Sequence, residues 1–207
     1  WQKIRVKAGI KHSSFMTHKT YSETVIPRLM KAASEVTGDS LEHIMQCNGI
    51  YFVSFVSRYG YDVMLKVLGR RMRDFLNGLD NLHEYLRLTY PKLKPPSFHI
   101  SDETEDGLTL HYRTKRKGYL HYVIGQVREV GRVFYMIDID VQLTKIEEHS
   151  DMGHYVMRLF FDNHHFAKRQ QRQQDLDERQ QQMMSRDVII SPETFLDAFP
   201  FHMVFDN

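Results

Sequence analysis

A histidine at position 83 and three hydrogen-bonding side chains at alternate positions, Tyr112, Thr114 and Arg116, are the residues whose types and spacing could do chemistry. His83 falls four after Leu79 and three before Leu86, within a helical repeat that also takes in Phe75, Leu76 and Leu82. An imidazole there is either a satisfied core residue or a ligand, since neutral imidazole is the form that binds metal. A single histidine with open space opposite suits haem iron, which needs only one or two protein ligands. The Tyr112-x-Thr114-x-Arg116 run alternates as a strand does, so a phenol, a hydroxyl and a guanidinium share one face. That row is either a solvated strand face or a patch of donors for a carboxylate or phosphate, with Arg116 able to grip it through two parallel bonds. Haem carries two propionates, so His83 and this patch could serve one ligand.

The elements that must position these groups divide into two halves. From Glu23 onward, Val25, Ile26, Leu29, Met30, Ala33 and Val36 repeat at helical spacing up to Thr37-Gly38. Asp39 or Ser40 then caps a second helix with apolar positions Ile44, Cys47, Tyr51, Phe52 and Phe55, closed by Gly60. A short helix follows from Asp62 to Leu68. The strongest helix runs from Met72 to Tyr90 and is stopped by prolines 91, 95 and 96, which stiffen an extended segment. Beyond it the period changes to two. Leu108 to Arg116 reads as a strand, Tyr119 to Tyr135 as a helix, and Ile137 to Leu143 and Tyr155 to Phe161 as an antiparallel pair joined near Ser150. The expected class is α+β, a helical amino-terminal half followed by an antiparallel sheet.

Length and composition set the outer bounds. The chain has 207 residues, 42% hydrophobic and 26% charged, with a net charge of +2. That is an ordinary globular composition, too balanced in charge to point to nucleic acid. One cysteine, Cys47, excludes an internal disulfide and a cysteine-based zinc or iron–sulfur site; on its apolar stripe it is expected to be buried. No apolar run approaches the ~18 residues of a membrane span, and no signal-peptide pattern is present, so a cytoplasmic setting is the default. Trp1 in the initiating position suggests a piece of a longer protein. Residues 168–182 are a Gln- and Arg-rich stretch that could form no core, an exposed helix or a linker. The sequence turns apolar again from Ile189 to Phe205.

Several of these strings together resemble the haem nitric-oxide/oxygen-binding (H-NOX) domain of soluble guanylate cyclases. They are Leu79-Asp80-Asn81-Leu82-His83, Tyr90-Pro91, Pro96-Ser97-Phe98, Tyr59-Gly60-Tyr61-Asp62 and Phe75-Leu76. Tyr112-x-Thr114-x-Arg116 is similar to that family's Tyr-x-Ser-x-Arg propionate motif, with Thr in place of Ser. Ile190-Ser191-Pro192 and Ala198-Phe199-Pro200-Phe201-His202 look like the junction to the next domain of a cyclase β-type subunit.

The resemblance implies haem b held between the helical half and the sheet, with His83 as proximal iron ligand, Tyr112, Thr114 and Arg116 on the propionates, and Pro96 pressed against the porphyrin. Counting back three from Gly125 gives Tyr122 in the distal gas pocket, where O2-binding members carry a tyrosine and the vertebrate nitric-oxide receptor an aliphatic residue. Phe52 sits where some bacterial members place a polar support. The implied function is a sensor of NO, with O2 and CO as further ligands, in which NO weakens the iron–His83 bond. The implied parent is a homo- or heterodimeric cyclase making cyclic GMP from GTP; this piece holds no catalytic residues. The implied layout is a gas-sensing domain over 1–167, a polar linker over 168–188 and the start of a PAS-like domain over 189–207. A stand-alone gas-binding protein and a haem-free interaction module remain as alternatives. Weaker features are the basic clusters Arg70-Arg71-x-Arg73 and Arg113 to Lys117, read as solvated faces, the pair His164-His165, which lacks a further ligand, and the unassigned His12, His18 and His99.

Overall fold

The computed structural model of the chain describes residues 1–16, 19, 21–90, 93–148 and 151–185. It divides into two units, Trp1–Asn163 and His164–Asn207. The first carries helices α1 (Gln2–Lys7), α2 (Val25–Thr37), α3 (Leu41–Arg58), α4 (Tyr61–Lys66) and α5 (Met72–Thr89), then strands β1 (Ser97–Thr104) and β2 (Gly107–Thr114). Helix α6 (Leu120–Val130), strand β3 (Asp140–Glu148) and strand β4 (Gly153–Phe160) complete it. Helix α7 (His165–Ser185) lies in the second unit and takes up the Gln- and Arg-rich stretch. The segment from Ile189 to Phe205, with its junction-like strings, lies outside the described residues, as do His18, Pro91 and Ser150.

The helix boundaries follow from local chemistry. Helix α2 buries Leu29, Ala32 and Ala33 and ends at Gly38, whose φ of 86° is the left-handed conformation that glycine adopts without strain. Of the two candidate caps for α3, Ser40 serves: its hydroxyl accepts from the His43 backbone N–H at 3.1 Å. The inward stripe of α3 is Met45, Gly49 and Val53, not the stripe expected through Cys47. Cys47 is therefore exposed, with its sulfur 3.6 Å from the His43 ring, and Tyr51, Phe52 and Phe55 are each more than a third exposed and face a cavity rather than the core.

The sheet has the order β1-β2-β4-β3, antiparallel throughout. Its inner face is the core. Leu108, Leu110 and Tyr112 of β2 stand opposite Leu159, Met157 and Tyr155 of β4, all essentially inaccessible to solvent. Strand β1 was legible only as an extended segment, because its alternation stops after Phe98 and Ile100; its pairing with β2 sets Phe98 beside Tyr112, rings stacked at 5.6 Å. Two expectations need correcting. The helix read as continuous to Tyr135 ends at Val130 and closes with a π-helical turn, Gly131–Tyr135, tied down by the Tyr135 hydroxyl donating to the Gly69 carbonyl. Strand β3 then begins at Asp140 rather than Ile137, because Met136 adopts a left-handed φ of 55° and the ladder starts only where Asp140 meets Phe160, the last residue of β4.

Candidate functional site

Between the helices and the inner face of the sheet lies a cavity of about 610 Å³, within the ~300–1,000 Å³ typical of cofactor and ligand sites. Its lining includes all seven residues singled out from the sequence: Phe52, His83, Pro96, Tyr112, Thr114, Arg116 and Tyr122. They come from four separate elements and two loops, so the fold alone unites them.

The first wall belongs to α5 and β1. The His83 Nδ1 lies 3.1 Å from the Pro96 carbonyl oxygen. A carbonyl only accepts, so Nδ1 carries the proton and the Nε2 lone pair is left free. Burial pushes the His83 pKa below the usual imidazole range, with the Pro96 carbonyl, Asp80 and Glu84 opposing it, and the ring is kept in the neutral form that ligates metal. Its placement depends on a residue that sequence reading gave no role. One turn earlier on α5, the Asp80 carboxylate accepts from the Phe98 backbone N–H at 2.7 Å and pins the helix to the strand. An acid three before the histidine, followed by a Pro-Pro-Ser-Phe strand start, was the available signal.

The second region is the rim formed at the end of β2. Tyr112 and Thr114 are buried with their side chains inward, while Arg113 between them is exposed. Arg116 lies beyond the strand, which stops at Thr114, so the expectation of three residues on one strand is corrected. The Thr114 hydroxyl accepts from the Arg116 N–H at 3.0 Å and turns the chain, and Arg116 still reaches the cavity. The Arg116 Nε is buried without a hydrogen-bond partner, its nearest acid being Glu23 at 4.0 Å. A buried guanidinium N–H left unmatched is a ready site for a carboxylate. Burial raises the Tyr112 pKa against the pull of Thr114 and Arg116, so its phenol remains a donor.

The opposite wall is made by α3 and α6, which cross with almost no space between backbones. A Cβ on Gly49 would lie 2.0 Å from the Tyr122 carbonyl oxygen, and one on Gly125 would lie 2.1 Å from that of Gln46. Only glycine fits either place. The crossing sets Phe52, three after Gly49, against Tyr122, three before Gly125, with ring centroids 6.0 Å apart. Burial, with a smaller contribution from Tyr119, raises the Tyr122 pKa strongly, so its hydroxyl stays protonated. Among the described residues that hydroxyl makes no hydrogen bond.

This geometry agrees with a family model of haem-NO-binding domains, which matches residues 1–143. The chain belongs to the haem-NO-binding family. It is 42% identical over 204 residues to the soluble guanylate cyclase gcy-33 of Caenorhabditis elegans, covering 99% of this chain and 21% of the relative. To the soluble guanylate cyclase gcy-31 of the same organism it is 39% identical over 207 residues, covering 100% and 29%. The chain thus spans less than a third of the length of these relatives. Among solved structures, a mutant of the T. tengcongensis H-NOX domain superposes with a TM-score of 0.66 at 21% identity, over 77% of this chain and 85% of that one. At that identity the likeness speaks for the fold alone, helices followed by a four-stranded antiparallel sheet.

The remaining histidines of interest lie elsewhere. His99, His111 and His154 sit on the outer face of the sheet, and His12 packs against Tyr21. The His164 and His165 rings are 3.9 Å apart, and among the described residues no group of three or more His, Cys, Asp or Glu is arranged to hold a metal ion. A cofactor bringing its own macrocycle and needing one imidazole is the chemistry that the cavity suits. Among the described residues no helix is long and apolar enough to cross a membrane.

Proposed function

We propose that this chain is a haem-based gas-sensing domain that regulates a soluble guanylate cyclase. The observation that carries the reading is one cavity holding, on one wall, an imidazole whose Nδ1 is bound to the Pro96 carbonyl and, at its rim, a buried guanidinium N–H with no hydrogen bond and only a distant acid at 4.0 Å. These are the two groups that a haem demands, an axial nitrogen for iron and a cation for a propionate. Bound there, haem b supplies an iron centre that takes up NO, with O2 and CO as further ligands.

The chain's own residues do the rest. His83 would ligate the iron, oriented by the Pro96 carbonyl and by Asp80 through Phe98. Tyr112, Thr114 and Arg116 would hold the propionates, and Pro96 would pack against the macrocycle beside His83. Tyr122 stands on the distal side as a phenol donor beside Phe52; O2 draws negative charge on binding and gains from such a donor, whereas NO and CO gain less. Were a bound gas to weaken the hold of the iron on His83, α5, which carries His83, would be the element released, and the signal would pass on as a shift between two conformations.

Relatives named soluble guanylate cyclases support a parent that makes cyclic GMP from GTP; the proposal takes that parent to be a dimer of like or unlike subunits in the cytoplasm. In that parent, residues 1–167 form the sensor, 168–188 the polar connection and 189–207 the start of the next domain. The test is the visible spectrum of the purified protein beside that of His83→Gly. A Soret band in the first that is lost in the second, and returns with added imidazole, is the expected result. Equal spectra from the two would overturn the assignment of His83.

A further inference from the structure

The face of the sheet turned away from the cavity carries a line of hydrogen-bonded side chains that crosses all four strands. His154 on β4 is paired in register with Glu147 on β3, and His111 on β2 with His99 on β1. The His154 Nδ1 lies 2.9 Å from Oε2 of Glu147, and the His154 Nε2 lies 3.2 Å from Nδ1 of His111. The His111 Nε2 lies in turn 2.9 Å from the Ser101 hydroxyl, which donates to the Asp102 carboxylate at 2.8 Å. Both imidazoles are half-buried. The line therefore runs from Asp102 on β1 to Glu147 on β3, with a carboxylate at each end and two histidines between.

Counting its protons shows what the line lacks. A carboxylate only accepts, so Glu147 fixes the proton of a neutral His154 on Nδ1 and leaves Nε2 as an acceptor. His111 must donate to that Nε2 from its own Nδ1, which leaves the His111 Nε2 as an acceptor facing Ser101. The Ser101 hydroxyl has a single proton, and Asp102 and His111 both require it. With both imidazoles neutral the line is one proton short. We propose that this outer face is a binding site for one proton, shared by His111 and His154, whose uptake completes the hydrogen bonds from β1 to β3. The proton enters at the His111 Nε2, which then donates to Ser101, while Ser101 keeps its bond to Asp102. A second proton would set N–H against N–H across the 3.2 Å contact and part the two rings. The groups facing the pair decide when uptake occurs. Burial, His154, His99 and Arg113 push the His111 pKa below the usual imidazole range, and Asp102 opposes them. Lys145, paired with Glu147, and Arg158, bound to the Asp102 carbonyl, are the other cations on this face. The site is thus empty at neutral pH and fills in acid. Because the folded chain holds this proton less firmly than an unfolded one, uptake costs stability, which is fully kept only above the usual imidazole range. The site lies apart from the cavity and does not depend on the gas-sensing reading. It borders the cavity only through the strands: Tyr112 follows His111, Tyr155 follows His154, and their rings stack at 5.7 Å on the inner face.

The experiment is a pH titration of the full chain with ¹⁵N-labelled histidine, followed by long-range ¹H–¹⁵N NMR, beside the variants Asp102→Asn and His154→Gln. Asparagine accepts the left-handed φ of 47° at position 102, and glutamine offers His111 an uncharged acceptor. At neutral pH both His111 and His154 are expected to carry their proton on Nδ1. On acidification they should titrate together in two steps, the first below the usual imidazole range. Asp102→Asn removes the attracting charge and frees the Ser101 proton for His111, so the first midpoint should fall by about one pH unit, a tenfold loss of proton affinity. His154→Gln should merge the two steps into one and move the His111 midpoint upward. A neutral His111 with its proton on Nε2 would overturn the proposal. So would His111 and His154 titrating as separate sites that neither substitution moves. Asp102 is exposed, so Asp102→Asn decides the matter alone if His154→Gln does not fold: an unmoved midpoint in that variant would overturn the shared site.

Discussion

The two walls of the cavity are held by different physics. The α5 wall is positioned by hydrogen bonds from side chains to backbone: Asp80 to the Phe98 N–H, and His83 to the Pro96 carbonyl. The α3–α6 wall is positioned by close approach, with two glycines admitting the carbonyls of the facing helix; the hydrogen bonds described between these helices, linking Gln46 with His121 and Arg128, lie outside the cavity lining. Hydrogen bonds fix direction, which an axial ligand needs; backbone packing fixes distance and leaves the side chains on it free of structural duty. The first wall is thus built for orientation and the second for tuning, because Tyr122 can be exchanged without removing a hydrogen bond seen among the described residues.

Breaking the second wall should cost the most. Gly125→Ala places a methyl within 2.1 Å of the Gln46 carbonyl and forces the helices apart; urea denaturation should show a loss of about 3 kcal/mol or more, at the top of the overpacking range. A loss near zero would mean that α3 and α6 do not cross as described. Removing the anchor of the first wall comes next. Asp80→Ala leaves the Phe98 N–H unmatched and should lower stability by ~1–3 kcal/mol, with faster hydrogen exchange at that amide as the local signature.

Tyr122→Phe separates the two kinds of wall. Its hydroxyl makes no hydrogen bond among the described residues, so stability should change by less than about 0.5 kcal/mol. O2 dissociation should nevertheless rise about tenfold, equal to ~1.4 kcal/mol. Ser40→Ala is the smallest and serves as a control: it deletes the hydroxyl that caps α3 and should cost ~1 kcal/mol, with ligand rates unaltered. If Ser40→Ala changed O2 dissociation as much as Tyr122→Phe does, general loosening and not a distal hydrogen bond would explain both.

The sequence carried the first wall more fully than the second. Helix α5 was legible because Phe75, Leu76 and Leu79 repeat cleanly and proline stops it, and the strand bearing Tyr112 and Thr114 showed its alternation directly. The inward stripe of α3 differs from the one its bulky residues predict. Tyr51, Phe52 and Phe55 dominate the apolar pattern, while the residue that meets α6 is Gly49, which carries no hydrophobic signal. Cys47 was placed inside for the same reason. The π-helical turn after Val130 left no mark in the periodicity, since a helix with more residues per turn continues the apolar pattern through Phe134 and Tyr135. The contribution of Asp80 left only the faint signal of an acid three before His83, because its partner is a backbone N–H eighteen residues away.

One measurement tests the account most directly: the absorption spectrum of the reduced full-length protein, recorded in air and under argon, with Tyr122→Phe alongside. A cavity with His83 on one side and a phenol donor on the other predicts a six-coordinate spectrum in air that reverts to five-coordinate under argon, with the six-coordinate form weakened or lost in Tyr122→Phe. A five-coordinate spectrum unchanged by air, shifting only with NO or CO, would contradict the distal role given to Tyr122.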